Sequence, residues 1–374
     1  MKDRFEVLDI FRGIFVTLIV FYYMSFFSDT PLLNNSFIQN SDLFVDFFFV
    51  LSGFVIAHSY RQINTKKNLK VFLKKRVARL VPLHLVMLFV FVVTELLMNL
   101  LKANASYLGS PENNLSTFIS SLLLLNSVKL PGVTSASWNI PSWSVSAVMI
   151  SYIVFGGLLF LLHKLQHHRN RNYFFAFIAI TAISTLFITN DNYTIDYTFN
   201  FGVLRGIAGF FSGVLCLIFF NFIKSNLDGL PTFFFHVAEV LLLLSIGIYI
   251  YRGEFFKTMG YIYEVVFFVS VFMFAFERGF ISTLLKRSFF LKNLGKYSYS
   301  IYMVQALVLT ILNVIFIHIL HFQPSAYAYL FIVNCFVIYK VAQWSYKNIE
   351  MRYSWKNKIA RRRAAIYANK TLAA

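Results

Sequence analysis

Residues Phe11–Met24 read FRGIFVTLIVFYYM. The run is almost wholly apolar, yet it opens beside an arginine and closes on two tyrosines. Tyr23 stands eleven positions after Arg12. At about 100° and about 1.5 Å per residue, a helix carries that interval through about 16 Å and returns both side chains to nearly one face. A helix that is apolar all round belongs in a packed interior or in lipid. The stretch therefore reads as a membrane helix with a cation at one end and phenols about three turns further on.

The surrounding chain agrees. Of 374 residues, 58% are hydrophobic, 13% are charged and 46 are phenylalanine. A water-soluble domain could not hide that much apolar surface. Runs long enough to span a bilayer, about 20 residues each, fall near 9–28, 43–60, 81–102, 144–163, 173–189, 201–221, 234–250, 260–277, 297–318 and 326–348. The predicted fold is all-α: a polytopic membrane helical bundle of about ten transmembrane helices. One domain covers 1–350, with a basic tail over 351–374. No small-residue cleavage site follows the first run, so it is expected to stay as a span.

Charge orients the bundle. The chain holds 34 Lys and Arg against 16 Asp and Glu. With a cytoplasmic N-terminus, 28 basic residues fall in inner segments and four (Lys102, Lys129, Arg252 and Lys257) in outer loops. Arg205 and Lys340 fall inside spans. This bias obeys the positive-inside rule and predicts both termini in the cytoplasm. Basic residues that hug membrane exits suit anionic headgroups. They point to membrane lipids as partners and away from nucleic acid. Cys216 and Cys335 both lie in predicted spans, so no disulfide or metal framework is indicated.

Two connections stand out. The inner loop from Tyr60 to Leu80 is strongly basic, and from Leu69 it reads as an interfacial helix running into the third span. The outer connection from Ala103 to Pro141 contains LSTFISSLLLLNS, too short to span and placed at the interface or as a re-entrant segment. Asn-x-Ser/Thr triplets at Asn34, Asn104, Asn114 and Asn192 all fall outside.

Six blocks occur in order: LDIFRGI from Leu8, FVDFFFVLSGFVI from Phe44, FLKKRVARLVPLHL from Phe72, WSVS from Trp143, LRGIAGFFSG from Leu204 and LGKYSYSIYMV from Leu294. Together they resemble the acyltransferase-3 family of integral-membrane O-acyltransferases. The resemblance implies a ten-span core that moves an acyl group, usually acetyl, from cytoplasmic acyl-CoA to a glycan or other hydroxyl acceptor outside. It implies acyl-CoA as a co-substrate and no permanently bound cofactor. It also implies a glycan or lipid-linked acceptor and a bacterial inner membrane. Three polar positions depart from the family pattern. The His expected eleven residues after the first-span Arg is Tyr23, the Glu expected after WSVS is Ala147, and the His expected after YMV is Gln305.

Acyl-CoA carries several phosphate charges, so its site needs cations at the inner face. Arg12, Arg76 and Arg79 fall near that boundary. Arg76 and Arg79, three apart, share a helix face, and the planar guanidinium suits phosphate. Topological anchoring competes with this reading and fully accounts for Lys74 and Lys75. Asp46 lies in an apolar span, where an unpaired acid costs a few kcal/mol. It must face the bundle with a partner, and Arg205 falls at a matching depth. Arg205, Trp143, Ser144 and Gln305, in or directly after the matching blocks, are implied substrate contacts.

A hydroxyl acceptor calls for a general base. Imidazole suits that task, whereas a phenol of pKa near 10 does so poorly. Tyr23 and Asp46 are the candidate catalytic residues, and an interfacial tyrosine beside Tyr22 is the plainer role for Tyr23. His58 and His84 are expected near the inner ends of their spans. No metal-ligand cluster, Gly-rich phosphate loop or nucleophile elbow occurs. Two functions stay open: an acyltransferase with an altered first-span residue, and a non-catalytic relative that binds acyl-CoA, a lipid-linked glycan or a partner protein. A transporter would show paired broken helices in matching halves, and the chain lacks that pattern.

Overall fold

In the computed structural model, which describes residues 5–28, 30–100, 112–133, 135–189, 200–257 and 261–353, the quoted stretch lies inside helix α1, Glu6–Ser25. There follow α2 (Phe44–Ser59), α3 (Lys66–Leu100), α4 (Leu115–Leu122), α5 (Ser142–Lys164) and α6 (Arg171–Thr189). The second half holds α7 (Gly202–Asp228), α8 (Thr232–Tyr251), α9 (Tyr261–Phe274), α10 (Phe280–Arg287), α11 (Phe289–Asn313) and α12 (Tyr327–Ser345). No strand occurs among the described residues. Eight of the described helices are long and apolar enough to cross a bilayer, so the expected helical membrane bundle is what forms. Two expected spans stand apart from those eight. α9 has 14 residues and reaches about 21 Å of the roughly 30 Å core. α12 dilutes its apolar run with Asn334, Lys340 and Gln343. Asn104, Asn192 and residues 354–374 of the tail lie outside the described residues.

Glycines in the sequence blocks set how closely the helices approach. A Cβ added to Gly53 on α2 would overlap the Phe210 carbonyl oxygen of α7. One added to Gly213 on α7 would overlap the Val50 carbonyl oxygen of α2. The same reciprocity joins α1 to α11: Gly13 abuts the backbone of Leu294 and Gly295, and Gly295 abuts the Asp9 carbonyl. Lipid offers no hydrophobic drive between helices, so this close van der Waals approach does the work. Phenylalanines fill the space between. Phe15 stacks on Phe44 at 4.2 Å, and Phe11 meets Phe274 at 4.5 Å.

One expectation is extended and one is corrected. The basic loop and the third span form one continuous 35-residue helix, α3, with Pro82 inside it. His84 therefore lies about 27 Å along α3 from Lys66, not near an inner end. Its Nε2 lies 2.8 Å from the Ser121 carbonyl oxygen in the connection between α3 and α5. That connection closes the bundle end opposite the basic loop. α4 begins with a reciprocal cap between Asn114 and Thr117. Beyond it, Ser146 Oγ donates to the Leu124 carbonyl at 2.6 Å, and Val203 N donates to the Ser127 carbonyl at 3.1 Å.

The glycine contacts make a testable contrast. Gly213→Ala should destabilise the purified protein by about 1–3 kcal/mol, the cost of overpacking. Gly157→Ala, where an added Cβ meets nothing within 4 Å, should stabilise it by about 0.5–1 kcal/mol through helix propensity. Equal thermal midpoints for the two variants would contradict this account of the α2–α7 contact.

Candidate functional site

The Gly13–Gly295 approach places the motifs LDIFRGI and LGKYSYS side by side. Arg12 on α1 donates to Ser298 Oγ on α11 at 3.0 Å and to Asp9 Oδ1 at 3.2 Å. Arg76 on α3 lies over Tyr60 at 5.6 Å and Tyr152 at 5.8 Å, cation–π contacts that keep its charge on an otherwise apolar wall. Tyr299 donates to the Leu80 carbonyl at 2.6 Å, tying α11 to α3 beside Arg79.

Past the end of α12, the helix widens into a π turn over Tyr346–Glu350. This carries Glu350 inward, where Ser300 Oγ donates to its Oε2 at 3.1 Å. Burial pushes the Glu350 carboxyl above its ordinary range, while Arg79, the Ser300 hydroxyl and Arg12 pull it back. At the basic end of the bundle, Arg12 and Arg79 thus stand within electrostatic reach of one buried carboxylate, Glu350.

Arg12, Arg76 and Arg79 line one cavity of about 140 Å³. A single water needs about 10–15 Å³ on this measure, so the space suits a chain of atoms. It runs inward past Ser52 and Val148 to Ser144 on α5 and Tyr302 on α11. There Ser144 Oγ lies 2.9 Å from the Tyr302 hydroxyl. The three arginines thus share one cavity with apolar side chains and with the hydroxyls of Ser144 and Tyr302.

Beside that closed end lies a buried ion pair. Arg205 on α7 donates through Nε to Asp46 Oδ1 at 2.7 Å and through Nη2 to Asp46 Oδ2 at 2.8 Å. Both side chains are within 2% of fully buried. The guanidinium also lies 5.5 Å from the Trp143 ring, the neighbour of Ser144. A second carboxylate, buried Glu264 on α9, stands within electrostatic reach of both partners.

The structure thus gathers Arg12, Arg76, Arg79 and Ser144 on one cavity, and Asp46, Arg205 and Trp143 against its closed end. Tyr23 is elsewhere. It is half-buried on α1, its ring 5.3 Å from Tyr22 and 6.3 Å from Phe26, and it does not line the cavity. Gln305 is fully buried one turn beyond Tyr302 and is likewise off the cavity. Ala147 packs on Gly206, where an added Cβ would lie 2.6 Å from the alanine's own. A longer side chain at 147 would push α5 from α7.

Sequence reasoning missed Tyr302, Ser298, Glu350 and Glu264. Ser298 and Tyr302 are four apart in LGKYSYSIYMV, one helix face. Glu264 is an acid inside an apolar run, the same signal that marked Asp46.

These features define a polytopic membrane protein with an arginine-mouthed internal cavity. The family model described as an acyltransferase domain matches residues 5–341, and the chain belongs to that family, acyltransferase-3. The resemblance read from the six blocks is borne out. Over 147 residues the chain is 32% identical to acyltransferase MdmB of Streptomyces mycarofaciens, covering 39% of this chain and 35% of that one. Over 89 residues it is 39% identical to protein 2 in picA locus of Rhizobium radiobacter, covering 23% of this chain and 43% of that one. The chain spans less than half the length of each of these relatives. No solved structure matches the chain.

Removing one partner of a buried ion pair costs about 3–5 kcal/mol, because the other charge is stranded. Arg205→Leu should destabilise the protein by that order, and Asp46→Leu combined with Arg205→Leu should recover most of the loss. Additive losses in chemical denaturation of the two single variants and the double variant would show that the pair is not coupled.

Proposed function

We propose that the protein takes an acyl group, acetyl in the simplest case, from acyl-CoA at the basic mouth and passes it to a hydroxyl acceptor. The acceptor we favour is a cell-surface glycan or lipid-linked sugar at the opposite face. One observation carries this reading: in a chain of an acyltransferase family, Arg12, Arg76 and Arg79 open a cavity that closes on Ser144 and Tyr302. Guanidinium groups suit the CoA phosphates, and the apolar wall suits the pantetheine arm. In the transfer, the acceptor oxygen attacks the thioester carbon and the C–S bond breaks. The acceptor's proton goes to the departing sulfur, giving acylated acceptor and free CoA thiol. Ser144 and Tyr302 supply hydroxyls at the depth where the thioester carbonyl would lie.

A second reading has its own observation. Among the described residues, no histidine or carboxylate lines this cavity, and Tyr23 does not reach it. Such a site binds acyl-CoA without a group suited to take the acceptor's proton. This is the non-catalytic relative, which keeps the fold to bind acyl-CoA, a lipid-linked glycan or a partner.

Calorimetry and acyl-transfer assays separate the two. The Arg12→Ala, Arg79→Ala double variant should bind acetyl-CoA at least tenfold more weakly than the wild type, and salt should weaken wild-type binding. Equal affinities would place the donor site elsewhere. A general base contributes on the order of 10²- to 10⁴-fold in rate. Transfer of radiolabelled acetyl to membrane glycan or lipid should therefore be slow in the wild type, and Tyr23→His, which lies off the cavity, should leave the rate unchanged. Robust wild-type transfer that Tyr23→His abolishes would show that the phenol itself serves the reaction. No transfer in either variant, with acetyl-CoA still bound, would favour the non-catalytic reading.

A further inference from the structure

A second cavity, larger at about 340 Å³, opens at the same basic end between α2, α5, α6 and α7. Its floor is hydrocarbon: Phe155, Leu159, Phe175, Val214 and Leu217 are all buried around it. Its rim is polar and carries Arg61 and Arg171. Arg171 Nη1 donates to the Arg61 backbone carbonyl, which joins the two segments and leaves the Arg61 side chain exposed. The rim continues into a smaller hollow where His163 and His168 stand beside the same two arginines.

Among the described residues, nothing acidic answers this charge from the walls. No Asp or Glu occurs between Asp46 and Glu95, or between Glu112 and Asp191, or from Tyr197 to Leu227. Those intervals contain every residue that lines either hollow. α6 also begins at Arg171, so its N-terminal dipole adds positive potential at the rim. A cationic rim lacking a carboxylate, set over an apolar floor, is complementary to an anion joined to a hydrocarbon chain.

We propose that this second cavity binds an anionic membrane phospholipid, its phosphate between Arg61 and Arg171 and one acyl chain on the floor formed by Phe155, Phe175 and Val214. The apolar floor favours a lipid over a free phosphate compound, which would leave that surface unfilled. The basic end of a membrane bundle is also where anionic headgroups gather. The site is distinct from the acyl-CoA cavity, yet the two share a wall. Tyr60 lines the second cavity, and its ring lies 5.6 Å from Arg76, which lines the first. A bound chain packs behind Tyr60 and holds the surface on which Arg76 rests.

The test uses full-length protein, delipidated in detergent, followed by native mass spectrometry and thermal unfolding. Phosphatidylglycerol should be retained and should raise the thermal midpoint. Phosphatidylcholine of the same chains should bind at least tenfold more weakly, and glycerol 3-phosphate should do neither. Arg61→Glu changes an exposed side chain and should keep the lipid-free midpoint while losing at least tenfold in phosphatidylglycerol retention. Leu217→Trp should fill the floor and exclude the chain; if it does not fold, Arg61→Glu decides alone. Equal retention of the two phospholipids, or wild-type retention by Arg61→Glu, would overturn the proposal. A full effect from glycerol 3-phosphate would assign the rim to free phosphate compounds and overturn the lipid assignment.

Discussion

Asp46 and Arg205 meet through two charge-assisted hydrogen bonds in the interior of a membrane bundle. Neither ion could stay there alone, because desolvating each costs several kcal/mol that only good pairing geometry offsets. The pair therefore fixes how α2 faces α7. The Gly53 and Gly213 contacts make the same choice further along these helices, where their backbones touch. Trp143 lies on the Arg205 guanidinium, so the start of α5 is held as well. Ser144 follows directly and meets Tyr302. The Ser144 end of the cavity thus depends on a salt bridge that does not itself line the cavity.

The open end is built differently. Arg12, Arg76 and Arg79 come from two helices far apart in sequence, held by Ser298, by the Tyr60 and Tyr152 rings, and by the Tyr299 bond to α3. This gradient from cation to apolar wall to hydroxyl is the basis of the proposal that the cavity takes acyl-CoA, whose charge, arm and thioester come in the same order. It also sharpens the meaning of the three departures. Ala147 permits the α5–α7 approach at Gly206, and Gln305 is buried away from the cavity. Of the three positions that depart from the family pattern, Ala147 packs between helices, and Tyr23 and Gln305 lie off the cavity.

Much of this was legible in the sequence, for stated reasons. Apolar runs of bilayer length can be little else, and a lone acid in such a run requires a cation, which is how Asp46 led to Arg205. Glu264 obeyed the same rule and was passed over. His84 falls in mid-helix because the helix that runs from the basic loop into the third span begins at Lys66, and KKRVARLVPLHL is uninterrupted at Pro82. Tyr23 projects onto the Arg12 face of an ideal helix, but the cavity follows α5 and α11 instead of α1. The Ser144–Tyr302 contact joins residues 158 positions apart. No local pattern announces such a pairing, and it emerges only once the glycine contacts have set the helices together.

The central claim is that one passage connects the arginine mouth to Ser144. Cysteine accessibility tests it most directly. Ser144→Cys, in a background with Cys216 and Cys335 replaced, would be exposed to a small membrane-impermeant thiol reagent in sealed vesicles of either orientation. The account predicts labelling from the side that bears the α3 N-terminus, with protection by CoA. Labelling from the opposite side alone, or labelling that CoA does not slow, would contradict it.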